Sequence, residues 1–194
     1  HGLGVPPVLA AIFAIFATIL ATGALHEDGL VDAADGLGGK SPQDRLAIMR
    51  DHRIGTYGAI ALVLSLGIRI SAVAYLAEPA LVIGALIASG AASRAAATAL
   101  MAALPQARDD GMSVAAGRAS TSDAVMAFAL AFVIGWLSLS FGEALAVSLG
   151  ALLAAGMAGV IAASRLGGQT GDVLGASCQL AECLGLTLIV ALAG

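Results

Sequence analysis

Charged residues are scarce in this chain of 194 residues: they make up 11% of the sequence, and only nine of them are Lys or Arg. The shortage of basic residues, with a formal net charge of −4, argues against a nucleic-acid partner. Cysteine is almost absent. The two that occur, Cys178 and Cys183, lie in an apolar run and do not have the spacing of a zinc site. Two cysteines are too few for a disulfide framework, and both are predicted to be buried packing residues.

Apolar residues are abundant instead. Hydrophobic residues make up 59% of the chain and a further 25 residues are glycine, whereas the two groups together account for about 45–50% of a soluble domain. A soluble globule could not cover this surface with polar groups, and a disordered chain needs far fewer apolar residues. The composition predicts an all-α, polytopic integral membrane helix bundle, a single transmembrane domain over residues 1–194.

About six stretches are long enough to cross a bilayer as helices. They lie at residues 5–25, 57–76, 80–104, 124–140, 144–164 and 176–193. No basic region precedes the first stretch and no cleavage site follows it, so it is predicted to span the membrane rather than to be a signal peptide. Because the chain starts at His1 rather than Met, we expect a further N-terminal segment upstream.

The connections between these stretches are unequal. The tight turns at 77–79 and 141–143 carry no Lys or Arg, whereas the polar connections 26–56, 105–123 and 165–175 all emerge on one side. Seven basic residues lie in these three connections: Lys40, Arg45, Arg50, Arg53, Arg108, Arg118 and Arg165. The positive-inside rule predicts that this face is cytoplasmic, and we expect the functional site there.

An acidic segment, residues 26–36, follows the first apolar stretch. Its residues Asp28, Asp32 and Asp35 fall within about 60° of one another on a helix, where like charges repel. A cation would relieve this repulsion, and carboxylate oxygens suit Mg²⁺ or Mn²⁺. The stripe predicts a metal site, with a solvated acidic face as the alternative, and His26 could serve as a ligand, a base or an interfacial residue.

Arg50 and Arg53 flank Asp51 before the second apolar stretch. Guanidinium groups suit phosphate oxygens, although basic residues here also anchor a helix at the cytoplasmic surface. Metal-binding acids beside phosphate-binding arginines indicate phosphoryl transfer, in which positioning and charge neutralisation supply most of the catalysis.

Three charged residues, Arg69, Arg94 and Glu182, interrupt apolar stretches. Each costs about 2.5–3.5 kcal/mol on insertion scales if it faces lipid, so we expect all three to face the bundle interior. A structural ion pair between Glu182 and one arginine is the favoured interpretation for Arg69.

The stretch 167–176 is rich in glycine and precedes the last helix. Glycine lets backbone N–H groups approach a phosphate, and a helix N-terminus adds a favourable field. Gly168 and Gly171 are therefore candidate phosphate contacts. Asp172 is predicted either to join the metal ligands or to cap the helix.

Five segments, in order along the chain, resemble the cobalamin-5′-phosphate synthase (adenosylcobinamide-GDP ribazoletransferase) family. They are residues 22–36, 48–58, 93–94, 107–112 and 167–176. Two departures from the family pattern are a shorter N-terminal part and His52, where the family tends to have a small hydroxyl residue.

The resemblance implies a Mg²⁺-dependent transferase of the phosphotransferase type, multi-pass in a bacterial inner membrane, in cobalamin biosynthesis. Adenosylcobinamide-GDP would react with α-ribazole or its 5′-phosphate. A ribose hydroxyl attacks the phosphate on the cobinamide arm, GMP leaves, and adenosylcobalamin or its phosphate results. Whether the protein is a homo-oligomer stays open.

Residues and resemblance together give three candidate sets. The catalytic candidates are His26, Asp32, Asp35 and Asp51. The metal-binding candidates are Glu27, Asp28, Asp32, Asp35 and Asp172. The candidates for binding substrate phosphates are Arg50, Arg53, Arg94, Arg108, Gly168 and Gly171.

Two other functions share parts of the pattern. A CDP-alcohol phosphotransferase also uses spaced aspartates and Mg²⁺, but its signature has Ala-Arg after Asp-Gly, and no such pair follows Asp28 and Gly29 here. A cation transporter would place its acids near the bilayer midplane on broken helices, whereas the acids of this sequence cluster toward one surface.

Overall fold

A computed structural model describes residues 4–51 and 53–193, and within these ranges the chain is all-α, as predicted. The helices are α1 (Pro7–Thr22), α2 (Leu25–Gly36), α3 (Pro42–Ile48), α4 (Thr56–Leu76), α5 (Pro79–Ala103), α6 (Met112–Ala116), α7 (Thr121–Ser138), α8 (Phe141–Leu166) and α9 (Gly171–Ala193). The β-structure in this part of the chain is a single isolated bridge between Gln106 and Gln169.

Five helices, α4, α5, α7, α8 and α9, are long and apolar enough to cross a membrane, and α1 with α2 makes a sixth if the pair is one broken span. The prediction of a polytopic bundle with about six spans is therefore confirmed.

Three predicted boundaries are wrong. Helix α9 begins at Gly171 instead of residue 176, and α8 continues to Leu166, so the connection predicted at 165–175 shrinks to residues 167–170. The turn predicted at 141–143 lies earlier, because Ser140 and Glu143 form a capping box that starts α8.

A sharp bend of 88° separates α1 from α2. Gly23 and Ala24 both adopt left-handed backbone conformations, with φ of 62° and 59°. Glycine accepts this conformation freely, while for alanine it costs about 1–2 kcal/mol. The acidic segment predicted as a connection is thus mostly a helix, which packs along α9 where Gly29 meets Gly175. A Cβ added at Gly29 would lie 3.1 Å from the Gly175 Cα, so this contact needs glycine.

Small residues fill the interior of the bundle. Ala85 and Ala96 of α5 and Ala151 of α8 are fully buried, which permits the close helix contacts that substitute for a hydrophobic driving force in lipid. Large apolar side chains such as Leu137 and Val160 point outward and are mostly exposed. This distribution of small buried and large exposed apolar side chains suits a protein surrounded by lipid acyl chains.

Both cysteines, which the sequence predicted to be buried, are free thiols. Cys178 is buried, as predicted, whereas Cys183 is half-buried.

One end of the bundle collects the polar segments. The Gln169 N–H donates to the Pro105 carbonyl at 2.8 Å, which ties the start of α9 to the end of α5. The Arg45 guanidinium donates to the Arg165 carbonyl at 3.1 Å, which ties α3 to the end of α8. These bonds hold together the segments that carry the predicted site residues.

Candidate functional site

A cavity of about 480 Å³ opens at this polar end, between α2 and the segment that leads into α4. We call it the charged cavity. Its charged lining residues are Glu27, Asp28, Asp32, Arg50, Asp51, Arg53 and Arg108. Six of these come from the 26–56 segment, and Arg108 comes from the connection after α5.

Asp35 does not line this cavity. Its carboxylate accepts hydrogen bonds from the backbone N–H groups of Gly55 at 2.7 Å and Gly58 at 2.8 Å. Both its oxygens therefore cap the start of α4, where a negative charge is favoured. The glycines are the sequence signal for this contact, since a Cβ at Gly55 would lie 2.5 Å from the Asp35 carboxylate.

Arg50 and Arg53 both form ion pairs at the cavity mouth. Arg53 donates to both oxygens of Asp51, and the shortest of these N–O distances is 2.6 Å. The hydrogen bond to Asp51 raises the pKa of Arg53. Arg50 pairs with Asp110 at 2.5 Å. Arg50, Arg53 and Asp110 are mostly exposed to solvent and Asp51 is partly exposed. Ion pairs at such positions contribute little to stability. A phosphate can therefore replace a carboxylate as the partner of either arginine.

Arg108 lines the charged cavity and pairs with Asp172, which lies outside its lining. Arg108 is mostly buried and donates to the Asp172 carboxylate at 3.2 Å. Asp172 does not cap α9, because that N-terminus is capped by the Thr170 hydroxyl, which accepts from the Val173 N–H at 3.3 Å. Asp172 instead orients Arg108 toward the charged cavity.

Neither candidate glycine is among the residues that line the charged cavity. Gly168 packs on the segment after α5, where a Cβ would come within 3.0 Å of the Ala107 nitrogen. Gly171 has open space around it, with the Ser113 nitrogen at 3.8 Å as the nearest atom to an added Cβ. Close backbone pairing with residues 105–107 is a structural reason for Gly168, and the phosphate role of both glycines stays a prediction.

A buried charge network lies deeper in the bundle. Arg69 of α4 is 1% exposed and donates to Glu27 at 2.8 Å, contacts Gln179, and lies 3.7 Å from Glu182. Glu182 in turn accepts from Arg94 at 2.8 Å. The predicted ion pair of Arg69 with Glu182 is present, but the closer partner is Glu27. Sequence reasoning missed this partner because Glu27 lies in the acidic segment and was placed among the metal-binding candidates.

His26 and Arg94 lie together, with the His26 Nδ1 3.5 Å from an Arg94 nitrogen. Neither residue lines the charged cavity; both line a second cavity on the other side of Glu27. His52 lies outside the described residues.

The described residues contain no group of three or more His, Cys, Asp or Glu side chains placed to hold a metal by themselves. Mg²⁺, however, is usually bound by one or two carboxylates and takes its remaining ligands from waters and substrate phosphates. Asp28 and Asp32, one helical turn apart on the cavity wall, fit such a site.

The sequence matches the family described as cobalamin-5-phosphate synthase over residues 1–190. A Bradyrhizobium diazoefficiens protein named adenosylcobinamide-GDP ribazoletransferase is 48% identical over 97% of this chain and 73% of its own length. Relatives of the same name are 47% identical in Mesorhizobium japonicum (93% of this chain, 69% of the relative) and 45% identical in Azorhizobium caulinodans (94% and 72%).

No solved structure matches this chain. The family match covers almost the whole sequence, and it includes the helix α2 acids and the arginines that meet at the charged cavity. This protein belongs to the cobalamin-5-phosphate synthase family.

Proposed function

We propose that this protein is an adenosylcobinamide-GDP ribazoletransferase, which joins adenosylcobinamide-GDP to α-ribazole or its 5′-phosphate and releases GMP. The observation that carries the proposal is the charged cavity, where carboxylates of α2 face arginines from two other segments. Relatives with that name are nearly half identical to this chain.

The arginines of the cavity suit the diphosphate of the donor. Arg50 and Arg53 stand at the mouth in weak, exposed ion pairs, and Arg108 stands farther in, held by Asp172. As GMP leaves, negative charge grows on its phosphate, and guanidinium groups stabilise that charge through paired hydrogen bonds. The three residues would bind the donor and stabilise its departing nucleotide.

Mg²⁺ is the metal that the carboxylate ligands of this cavity favour. Asp28 and Asp32 would hold it beside the arginines, and it would supply neutralisation of charge on the diphosphate. Asp35 is engaged at α4, Asp172 at Arg108 and Glu27 at Arg69 and Gln179. The assignment therefore uses the two remaining metal-binding candidates.

The charged cavity is proposed to face the cytoplasm of a bacterial cell, from the inner membrane, because seven of the nine basic residues lie in segments at this end. Cysteines introduced at Lys40 and Arg118, both exposed, should label only from the cytoplasmic side in a variant without native cysteines. A cysteine at Gly142, exposed at the opposite end, should label from outside. Labelling of Lys40 or Arg118 positions from outside intact cells would contradict the topology.

Arg53→Lys tests the donor site. Lysine keeps the positive charge and the membrane anchor but loses the two-pronged contact. We expect kcat/KM for adenosylcobinamide-GDP to fall about tenfold or more, where tenfold corresponds to ~1.4 kcal/mol of lost transition-state binding. Arg118→Lys, an exposed arginine outside the cavity, should keep wild-type rates. Wild-type rates in both Arg53→Lys and Arg50→Lys would show that these arginines serve only as anchors.

The function itself is tested with the purified protein in liposomes. Adenosylcobinamide-GDP, α-ribazole and Mg²⁺ should give GMP and an adenosylated corrinoid product in equal amounts. The CDP-alcohol alternative is tested in the same liposomes with a CDP-alcohol as donor and should give no CMP. Release of CMP without any GMP from the cobinamide donor would overturn the proposal.

A further inference from the structure

One side of the charged cavity is apolar. The described residues that line this cavity are either charged or apolar, and the apolar ones are Ala24, Val31, Met49, Ile54 and Leu62. We call these five residues the apolar wall. Phosphates and a metal account for the arginines and carboxylates of the cavity but not for its apolar surface. Sites for small organic molecules typically combine such surface with a few polar groups.

The packing of α2 on the start of α4 brings parts of the apolar wall together. A Cβ added at Gly58 would lie 2.7 Å from Val31 Cγ1, so Val31 lies directly against the first turn of α4. Leu62 follows Gly58 by four residues and therefore lies one turn farther along the same face of α4. Val31 and Leu62 are thus neighbours across the contact between the two helices.

The apolar wall lies beside the carboxylates that are proposed to bind Mg²⁺. Around the axis of α2, Val31 is about 60° from Asp28 and about 100° from Asp32. All three residues line the charged cavity. Helix α2 therefore presents an apolar strip toward α4 and carboxylates next to it, and a single cavity offers both surfaces to its ligands.

Two residues of the apolar wall are accessible from the cavity. Ile54 is 65% exposed and follows Arg53 directly in the sequence, and Leu62 is half-buried. Removing apolar surface from water is favourable. A ligand with an apolar group therefore gains affinity by covering Ile54 and Leu62, while its charged groups reach the arginines.

We propose that the apolar wall binds the aromatic base of the acceptor α-ribazole and that Ile54 and Leu62 determine the affinity for this substrate. The inference rests on the proposed function and adds the location of the acceptor to it. Transfer requires the attacking oxygen to come within about 3–3.5 Å of the phosphorus. The acceptor must therefore share the cavity that holds the diphosphate, and the apolar wall is the part of that cavity that suits an uncharged ring.

The chemistry of the two bases favours the acceptor over the donor as the ligand of the apolar wall. The base of α-ribazole is a fused aromatic ring that carries methyl groups. Guanine carries amino and oxo groups, which lose hydrogen bonds to water when they are buried against apolar side chains. The five side chains of the apolar wall offer guanine no N–H or O–H donor and no oxygen acceptor. The ribazole base therefore fits this surface better than guanine does.

Leu62→Thr tests this location. Threonine has a smaller side chain and adds a hydroxyl group, so we expect KM for α-ribazole to rise at least fivefold. KM for adenosylcobinamide-GDP should stay within twofold. Leu64→Thr is the matched control, because Leu64 lies on the same helix, is exposed, and is outside the charged cavity. It should leave both constants unchanged.

Ile54→Ser gives a second test that does not alter a helix, because Ile54 is exposed and precedes α4. We expect the same rise in KM for α-ribazole and the same donor KM as in the wild type. Leu37→Ser, an exposed residue after α2 and outside the charged cavity, should behave as the wild type. An unchanged KM for α-ribazole in both folded variants would overturn the location.

Inhibition by GMP distinguishes the two bases. GMP competes with the donor for the arginines, so its inhibition constant should stay within twofold in Leu62→Thr and Ile54→Ser. Weaker inhibition by GMP together with an unchanged KM for α-ribazole would assign the apolar wall to guanine and overturn the inference. Failure of the proposed function looks different, since the wild-type protein itself would then release no GMP from the cobinamide donor.

Discussion

Asp32→Asn is expected to lower turnover at least a thousandfold while the protein still inserts and folds. The change removes one of the two carboxylates proposed to bind Mg²⁺ on the wall of the charged cavity. Charge stabilisation by a bound metal contributes several kcal/mol, and a thousandfold loss corresponds to ~4 kcal/mol. The measurement is GMP release at saturating concentrations of both substrates, repeated over a range of Mg²⁺ concentrations.

Asp44→Asn is the matched control for Asp32→Asn. Asp44 is exposed, lies outside the charged cavity and accepts a hydrogen bond from the Lys40 N–H at 2.8 Å, a role that an asparagine oxygen can keep. It should retain wild-type turnover. If Asp32→Asn shows the rate and Mg²⁺ dependence of the wild type, Asp32 is not a metal ligand.

Arg69→Met is expected to destabilise the protein by about 3–5 kcal/mol, because it leaves buried carboxylates without their cation. Glu27 and Glu182 both face Arg69, whose side chain is 1% exposed. The free energy of unfolding in mild detergent measures the loss, with the exposed Arg118→Met as a control expected to change it little.

The double variant Arg69→Met/Glu27→Gln separates the charge effect from lost packing. Removing one buried carboxylate should restore part of the stability, a coupling that a double-mutant cycle detects. A loss below 1 kcal/mol in Arg69→Met, or no recovery in the double variant, would contradict the account of this network.

The spans could be predicted from the sequence because a bilayer requires long apolar segments whose backbone groups bond internally. The break between α1 and α2 could not. It depends on a left-handed alanine, Ala24, and on the glycine contact between α2 and α9, which no local pattern encodes. The capping box of Ser140 and Glu143 is a helix start signal in the sequence, but the predicted bounds divide it between the stretch 124–140 and the turn 141–143.

The candidate site likewise has a part that the sequence predicts and a part that it does not. Asp28, Asp32, Arg50 and Arg53 lie within one segment, and local spacing was enough to associate them. The partners of Asp35 and Glu27 are Gly55 and Arg69, tens of residues away. Their roles follow from how the helices pack, which sequence spacing alone does not give.

The most direct test of the central claim is a structure of the protein in nanodiscs with Mg²⁺ and adenosylcobinamide-GDP, without acceptor. The charged cavity should then hold the diphosphate against Arg50 and Arg53, with the metal at Asp28 and Asp32. A diphosphate bound instead against His26 and Arg94, in the second cavity, would contradict this assignment.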